Sequence, residues 1–216
     1  MHDDLPILDG DEGLHRDSDV PLGDEIVDDR RTASGRPMRE AAVLVPLVHA
    51  DDRWQLLFIR RATSERDRHS GQVAFPGGAR ERGDADAAGT ALREAREEIG
   101  LDPGRVALLG ELAPYVTISD FRVVPVVGHV AWPATLALQR SEVARAFLIP
   151  LAWLRDRANL TLRARRDVDP GSARRHPVIV YEPWDGEVLW GATARMTVNF
   201  IKAVDDGRVA LPAPRD

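Results

Sequence analysis

Residues 77–101 open as a loop with a glycine pair, cross an acidic, alanine-rich turn and end on Arg93, Glu94, Ala95, Arg96, Glu97, Glu98, Ile99, Gly100 and Leu101. The steps of four, three and four that link Ala88, Leu92, Ala95 and Ile99 predict a helix with these residues on one stripe. They place Glu94, Glu97 and Glu98 roughly on the opposite side. Asp84 or Asp86 is a candidate N-cap, and Gly100 suits the left-handed position that ends a helix. A chain that contains this segment must supply an apolar surface for one side of the helix and a counter-charge for the other.

Three carboxylates so close together repel unless a positive charge sits among them, and hard oxygen donors at this density suit Mg²⁺ or Mn²⁺. Glu94 and Glu98 lie one turn apart and could share one ion or bracket two. Arg93 lies one turn before Glu97 and could hold that carboxylate in place. A solvated surface helix would explain the acids alone. It would not explain Phe75, Pro76, Gly77 and Gly78 ahead of the helix, or Ile99, Gly100 and Leu101 behind it.

Gly78, Asp84, Arg93, Glu94, Ala95, Glu97, Glu98, Gly100 and Leu101 together resemble the Nudix box of hydrolases that act on nucleoside diphosphate-linked compounds. The spacing from Gly78 to Arg93 is one residue longer than the commonest form of that pattern, and its first acid is Asp84 where Glu is usual. Just upstream, Leu57, Phe58, Ile59, Arg60, Arg61 and Ala62, then Arg66, then Gly71 leading into Phe75 and Gly78, are similar to the extra signature of coenzyme A pyrophosphatases. One residue more than in that signature separates Arg66 from Gly71. Pro183, Trp184 and residues 189–195 resemble the C-terminal part of the same subgroup.

The resemblance implies a metal-dependent hydrolase that splits the diphosphate of coenzyme A or its derivatives into 4′-phosphopantetheine and adenosine 3′,5′-bisphosphate. Glu94 and Glu98 would bind Mg²⁺ or Mn²⁺, Glu97 would bind a second ion or accept a proton from water, and Arg93 would orient Glu97. Asp84, Glu111 and Glu142 are further candidate acids. Arg60, Arg61, Arg66, Arg68 and His69, with Gly77 and Gly78, are candidate substrate-binding residues, because cations beside an acidic metal helix can grip the phosphates that the metal does not reach. ADP-ribose, a dinucleoside polyphosphate or NADH as substrate stays open. So does a Nudix-like module that binds a nucleotide without cleaving it.

The 216 residues, 44% of them hydrophobic, allow one sizeable domain with tails. Residues 1–29 hold eleven Asp or Glu and a single Arg, a local charge of -10 out of a total of -6. Residues 1–37 therefore read as an acidic tail expected to be disordered, and residues 38–216 as the Nudix domain. With no cysteine, disulfides and thiolate chemistry are excluded. No long apolar run or signal peptide is seen, so the expectation is a cytoplasmic protein with no membrane partner. The basic loop over residues 165–176 lacks aromatic interleaving, so nucleic acid is not expected as a partner either. Oligomeric state is left open, a homodimer included.

The remaining pattern predicts a hairpin of residues 41–48 with 54–59, turned by Asp51 and Asp52, and strands over residues 73–75, 108–112, 121–130, 160–165 and 177–181. Residues 114–120 read as a connecting loop. Pro150 suits the first turn of a short helix to Arg155, and residues 192–204 suit a closing helix with Ala194, Val198 and Ile201 on one side. Trp184 and Trp190 could stack an adenine, though aromatic residues at strand ends are usually core. Strands interleaved with two main helices fit the α/β/α sandwich around a mixed sheet that the Nudix resemblance implies.

Overall fold

The computed structural model describes residues 37–63, 70–117, 120–163 and 177–213. The acidic N-terminal segment up to residue 36 lies outside them, as do Arg66, Arg68, His69 and the basic loop over residues 164–176.

The near-continuous apolar run in the first strand, β1 (Arg39–Ala50), is what a strand covered on both faces requires. Ala41, Val45 and Leu47 enter one core, and Ala42, Leu44 and Val48 enter another on the opposite face. Asp51 and Asp52 both adopt positive φ, the geometry of a tight two-residue hairpin turn. They lead into β2 (Arg53–Arg61), which divides in the same way, with Leu56 and Phe58 on one face and Leu57 and Ile59 on the other.

Two short strands follow, β3 (Val73–Ala74) and β4 (Gly77–Ala79), and then the helix α1 (Ala87–Ile99). The next strands are β5 (Val106–Glu111), β6 (Tyr115–Val116), β7 (Phe121–Val130) and β8 (Val143–Pro150). A short helix α2 (Leu151–Arg155), strands β9 (Leu160–Arg163) and β10 (Val178–Tyr181), and the helix α3 (Gly191–Asp205) complete the chain.

The central sheet runs β3, β2, β1, β7, β5, with β4 also paired to β1, β6 to β7 and β8 to β2. The β1–β7 pair is parallel over ten residue pairs and the other pairs are antiparallel, so the sheet is mixed. Ala91, Ala95 and Ile99 seat α1 on one face, while Leu151, Leu154, Ala194 and Phe200 seat α2 and α3 on the other. This is the expected α/β/α sandwich. β9 and β10 form a separate antiparallel pair. Among the described residues, no helix is long and apolar enough to cross a membrane.

Four local expectations change. Gly77 and Gly78 are not in a loop: they pair with Val43 and Ala42 as part of β4, which fits because they lack a Cβ at a close backbone approach. The segment expected to connect residues 114–120 contains β6, held on the start of β7. Pro150 ends β8 and stands one residue before α2, at its N-cap. The buried side of α1 is Thr90, Ala91, Ala95, Glu98 and Ile99, with Ala88 and Leu92 only partly covered.

Candidate active site

α1 is started by Asp86, whose Oδ1 accepts from the Gly89 N–H at 2.7 Å, and stopped by Gly100 at φ 67. Of the two candidate caps, Asp86 takes the role. Asp84 does something else. Its carboxylate accepts from Arg93 Nε at 2.9 Å and Nη2 at 3.0 Å, a bidentate pair. The Glu81 N–H at 2.8 Å and the Thr90 hydroxyl at 2.9 Å donate to the same carboxylate. These donors, Arg93 first, hold the Asp84 carboxyl far below the usual carboxylate range. Asp84 is therefore an anchor, and the departure from Glu at this position coincides with a short side chain reaching a guanidinium on the helix.

Arg93 is the hub of the corner. Nη1 donates to Glu94 Oε1 and to Glu97 Oε2, both at 3.0 Å, and Nη2 donates to the Ala79 carbonyl at 3.1 Å. Asp84 and Glu94 keep the guanidinium firmly charged. Glu97 projects outward with its side chain 59% exposed, so Arg93 orients a carboxylate that remains open to solvent.

Glu98 behaves differently from its neighbours. It was expected on the acidic side, but its side chain is only 3% exposed and points back at β4, where its Oε2 accepts from the Gly77 N–H at 2.9 Å. Burial pushes its pKa up to about 7; the Gly77 N–H and Arg61 oppose the rise, and Glu94 and Glu142 add to it. Arg61 Nη1 stands 4.0 Å from Glu98 Oε1, too far for a hydrogen bond. Glu94 is also pushed up, chiefly by burial, against the pull of Arg93. It packs so closely on Gly78 that a Cβ there would lie 2.6 Å from its carboxyl carbon. The β4 glycines thus let the sheet edge meet two carboxylates at once.

Hard oxygen donors partly withdrawn from water and short of positive charge fit a divalent cation. Among the described residues, no three Asp, Glu or His side chains already stand together as a cage, and Arg93 is interposed between Glu94 and Glu97. Glu94 and Glu98 are the residues that would hold the ion.

The other candidates separate. Arg60 and Arg61 are neighbours on β2 and so leave it on opposite faces. Arg61 faces Glu98, whereas Arg60 Nε lies 3.8 Å from Glu187, on the far face. Glu187 is buried and also pairs with Arg145 at 3.3 Å, and Arg145 in turn pairs with Asp185. This network ties the turn at Asp185 and Gly186 to β2 and β8, and sequence reasoning missed it. The register Arg60↔Arg145 is a cross-strand contact that only the fold reveals. Glu142 is exposed beside the site, with its carbonyl accepting from the Ala62 N–H at 2.7 Å. Glu111 instead lines a cavity of about 420 Å³ with Glu40, Arg80 and Arg122 by the start of α1. Trp184 belongs to the core: its Nε1 donates to the Leu148 carbonyl at 3.1 Å and its ring lies 5.1 Å from Trp153. Trp190 is the N-cap residue of α3.

With this geometry in place, comparison with known proteins defines the class. Residues 38–168 match the NUDIX domain model, and the chain belongs to that family. It is 39% identical over 171 residues to an "Uncharacterized Nudix hydrolase NudL" of Pectobacterium atrosepticum, covering 78% of this chain and 84% of that one. A protein of the same name from Escherichia coli K12 is 36% identical over 152 residues, 70% of either chain. Among solved structures, the Nudix hydrolase RenU from M. Smegmatis is similar with a TM-score of 0.56 at 17% identity, over 86% of this chain and 97% of that chain. A MutT/nudix family protein from Enterococcus faecalis gives 0.50 at 16%, over 79% and 63%. At such identities these two structures speak for the fold.

Proposed function

We propose that this Nudix hydrolase cleaves the diphosphate of coenzyme A or a coenzyme A derivative, giving 4′-phosphopantetheine and adenosine 3′,5′-bisphosphate. The observation that carries the reading is the corner of Glu94 and Glu98 against Gly77 and Gly78, where a half-buried and a buried carboxylate are both pushed up in pKa, chiefly by burial. The upstream arginine signature supports the coenzyme A assignment, and the NudL relatives support a Nudix hydrolase.

Glu94 and Glu98 would hold Mg²⁺ or Mn²⁺. Bound there, the cation would neutralise part of the diphosphate charge and lower the pKa of a coordinated water. Arg61, on the same face of β2, would donate to a phosphate oxygen beside that corner. Glu97, exposed and fixed by Arg93, would accept the proton as the water oxygen bonds to phosphorus and the diphosphate P–O bond breaks. Asp84 and Arg93 set the geometry and take no part in bond making.

Incubation with Mg²⁺ or Mn²⁺ and a panel of coenzyme A, 3′-dephospho-coenzyme A, ADP-ribose, NADH and diadenosine polyphosphates, with products separated by chromatography, tests the proposal. Coenzyme A should be cleaved with the highest kcat/KM. Preferential cleavage of another compound would remove the substrate assignment, and binding without cleavage of any would replace the hydrolase reading with that of a nucleotide-binding module.

A further inference from the structure

β5 ends the sheet, and among the described residues no strand pairs with its outer side. Sheet edges are usually blunted by lysine, proline, inward-pointing charge or a bulge. Residues 106–110, Val106, Ala107, Leu108, Leu109 and Gly110, carry no lysine, proline or charge and only the single bulge between Leu108 and Gly110. Leu108 is 47% exposed and is the exposed large hydrophobic side chain among the described residues. Ala107 and Gly110 are exposed as well.

The charges that bound this apolar run have a symmetry of their own. Arg105 stands three residues before Leu108 and Glu111 three residues after it, both exposed. Antiparallel pairing of β5 with the β5 of a second copy, about a two-fold axis at Leu108, places Leu108 on Leu108. It also places Arg105 of each copy at Glu111 of the other. Few partners other than the strand itself would present that complementary order, and a two-fold contact of this kind is closed, because it uses up both free edges. The register shift between Leu108 and Gly110 marks a bulge that shortens the Leu108–Glu111 spacing by about one residue. A long arginine side chain spans that difference. Arg105 Nη2 donates to the Ala131 and Pro133 carbonyls, at 2.9 and 2.8 Å, which hold the guanidinium at the β7 end, so the contact with Glu111 of a second copy requires this side chain to swing outward; Glu111 makes no side-chain hydrogen bond or ion pair among the described residues.

We propose that β5 is a self-association edge through which two copies of this chain form a continuous sheet across a two-fold axis. One short strand per copy makes a small interface, so a reversible dimer with micromolar affinity is expected.

Analytical ultracentrifugation of the full chain, from low to high micromolar concentration, tests this on three proteins. Wild type should pass from monomer to dimer as concentration rises. Leu108→Lys, which brings two ammonium groups together on the axis, should stay monomeric throughout. Glu111→Arg, which sets two guanidinium groups against each other at either end, should raise the dissociation constant at least about tenfold. Circular dichroism checks that both variants are folded. Amide hydrogen exchange on wild type adds a measurement that needs no variant: amides within residues 106–110 should exchange more slowly at high concentration than at low. A wild type that is monomeric throughout would overturn the proposal. So would a dimer that folded Leu108→Lys and Glu111→Arg leave intact, or exchange in residues 106–110 that does not respond to concentration.

Discussion

Asp84 with Arg93, and Glu98 with Gly77, are two carboxylate corners at the same helix, and they are built in opposite ways. The Asp84 carboxylate is nearly covered, yet it receives a bidentate guanidinium, a backbone N–H and a hydroxyl, and its proton affinity falls. Glu98 lies deeper: burial, opposed by only one N–H and a guanidinium at 4.0 Å, raises its proton affinity. The first corner is electrically complete within the chain. The second is complete only when a proton or a cation joins it, and that separates a structural ion pair from a site that expects a ligand.

The widest gap between the corners should appear in turnover. Glu98→Gln and Glu97→Gln should each lower kcat by about two to four orders of magnitude with the fold retained, if the two residues are the proposed cation ligand and proton acceptor. Kinetics with Mg²⁺ alongside circular dichroism checks this. A Glu97→Gln protein with wild-type kcat would move the proton acceptor to Glu142.

Stability against pH distinguishes the corners by sign. Glu98 has a folded pKa of about 7 against an ordinary 4.5, so in chelator the folded state binds more protons than the unfolded state between those values. Its effect on stability is therefore a loss that grows as pH rises from about 4.5 to about 7, roughly 3 kcal/mol by the top of that range. Asp84 is depressed and acts the other way: its stabilisation is present above its ordinary 3.8 and is lost as pH falls below it. Denaturant unfolding of the chelated protein across this range should show both limbs, and Glu98→Gln should flatten the upper limb alone.

Replacing the hub is a smaller perturbation. Arg93→Lys keeps the charge but cannot make the bidentate pair to Asp84 while also reaching Glu94 and Glu97, so a loss of roughly 1–3 kcal/mol in unfolding free energy is expected. A thermal melt unchanged from wild type would mean that the Asp84 corner is held by its other donors.

Much of this was legible in the sequence. The paired aspartates between two apolar runs gave the first hairpin, the apolar period gave both main helices, and residues 77–101 carried enough fixed positions to single out the helix that bears the acids. Less local features were not legible. The parallel pairing of β1 with β7 joins strands far apart in the chain, and no short-range pattern encodes which strands become neighbours. The inward turn of Glu98 depends on β4 arriving beside α1 with an N–H to offer, so helical periodicity alone assigned it to the solvent side. For Arg60 and Arg61 a usable signal existed: two adjacent residues at the end of a strand must leave it on opposite faces, which already divides a run of arginines that composition treats as one group.

The claim that the Glu94 and Glu98 corner is where a divalent cation belongs is tested most directly by Mn²⁺ binding, followed by electron paramagnetic resonance on wild type, Glu98→Gln and, as a control beside the separate cavity, Glu40→Gln. Binding should weaken at least about tenfold in Glu98→Gln and stay at the wild-type level in Glu40→Gln. Equal Mn²⁺ affinity in wild type and Glu98→Gln would contradict it.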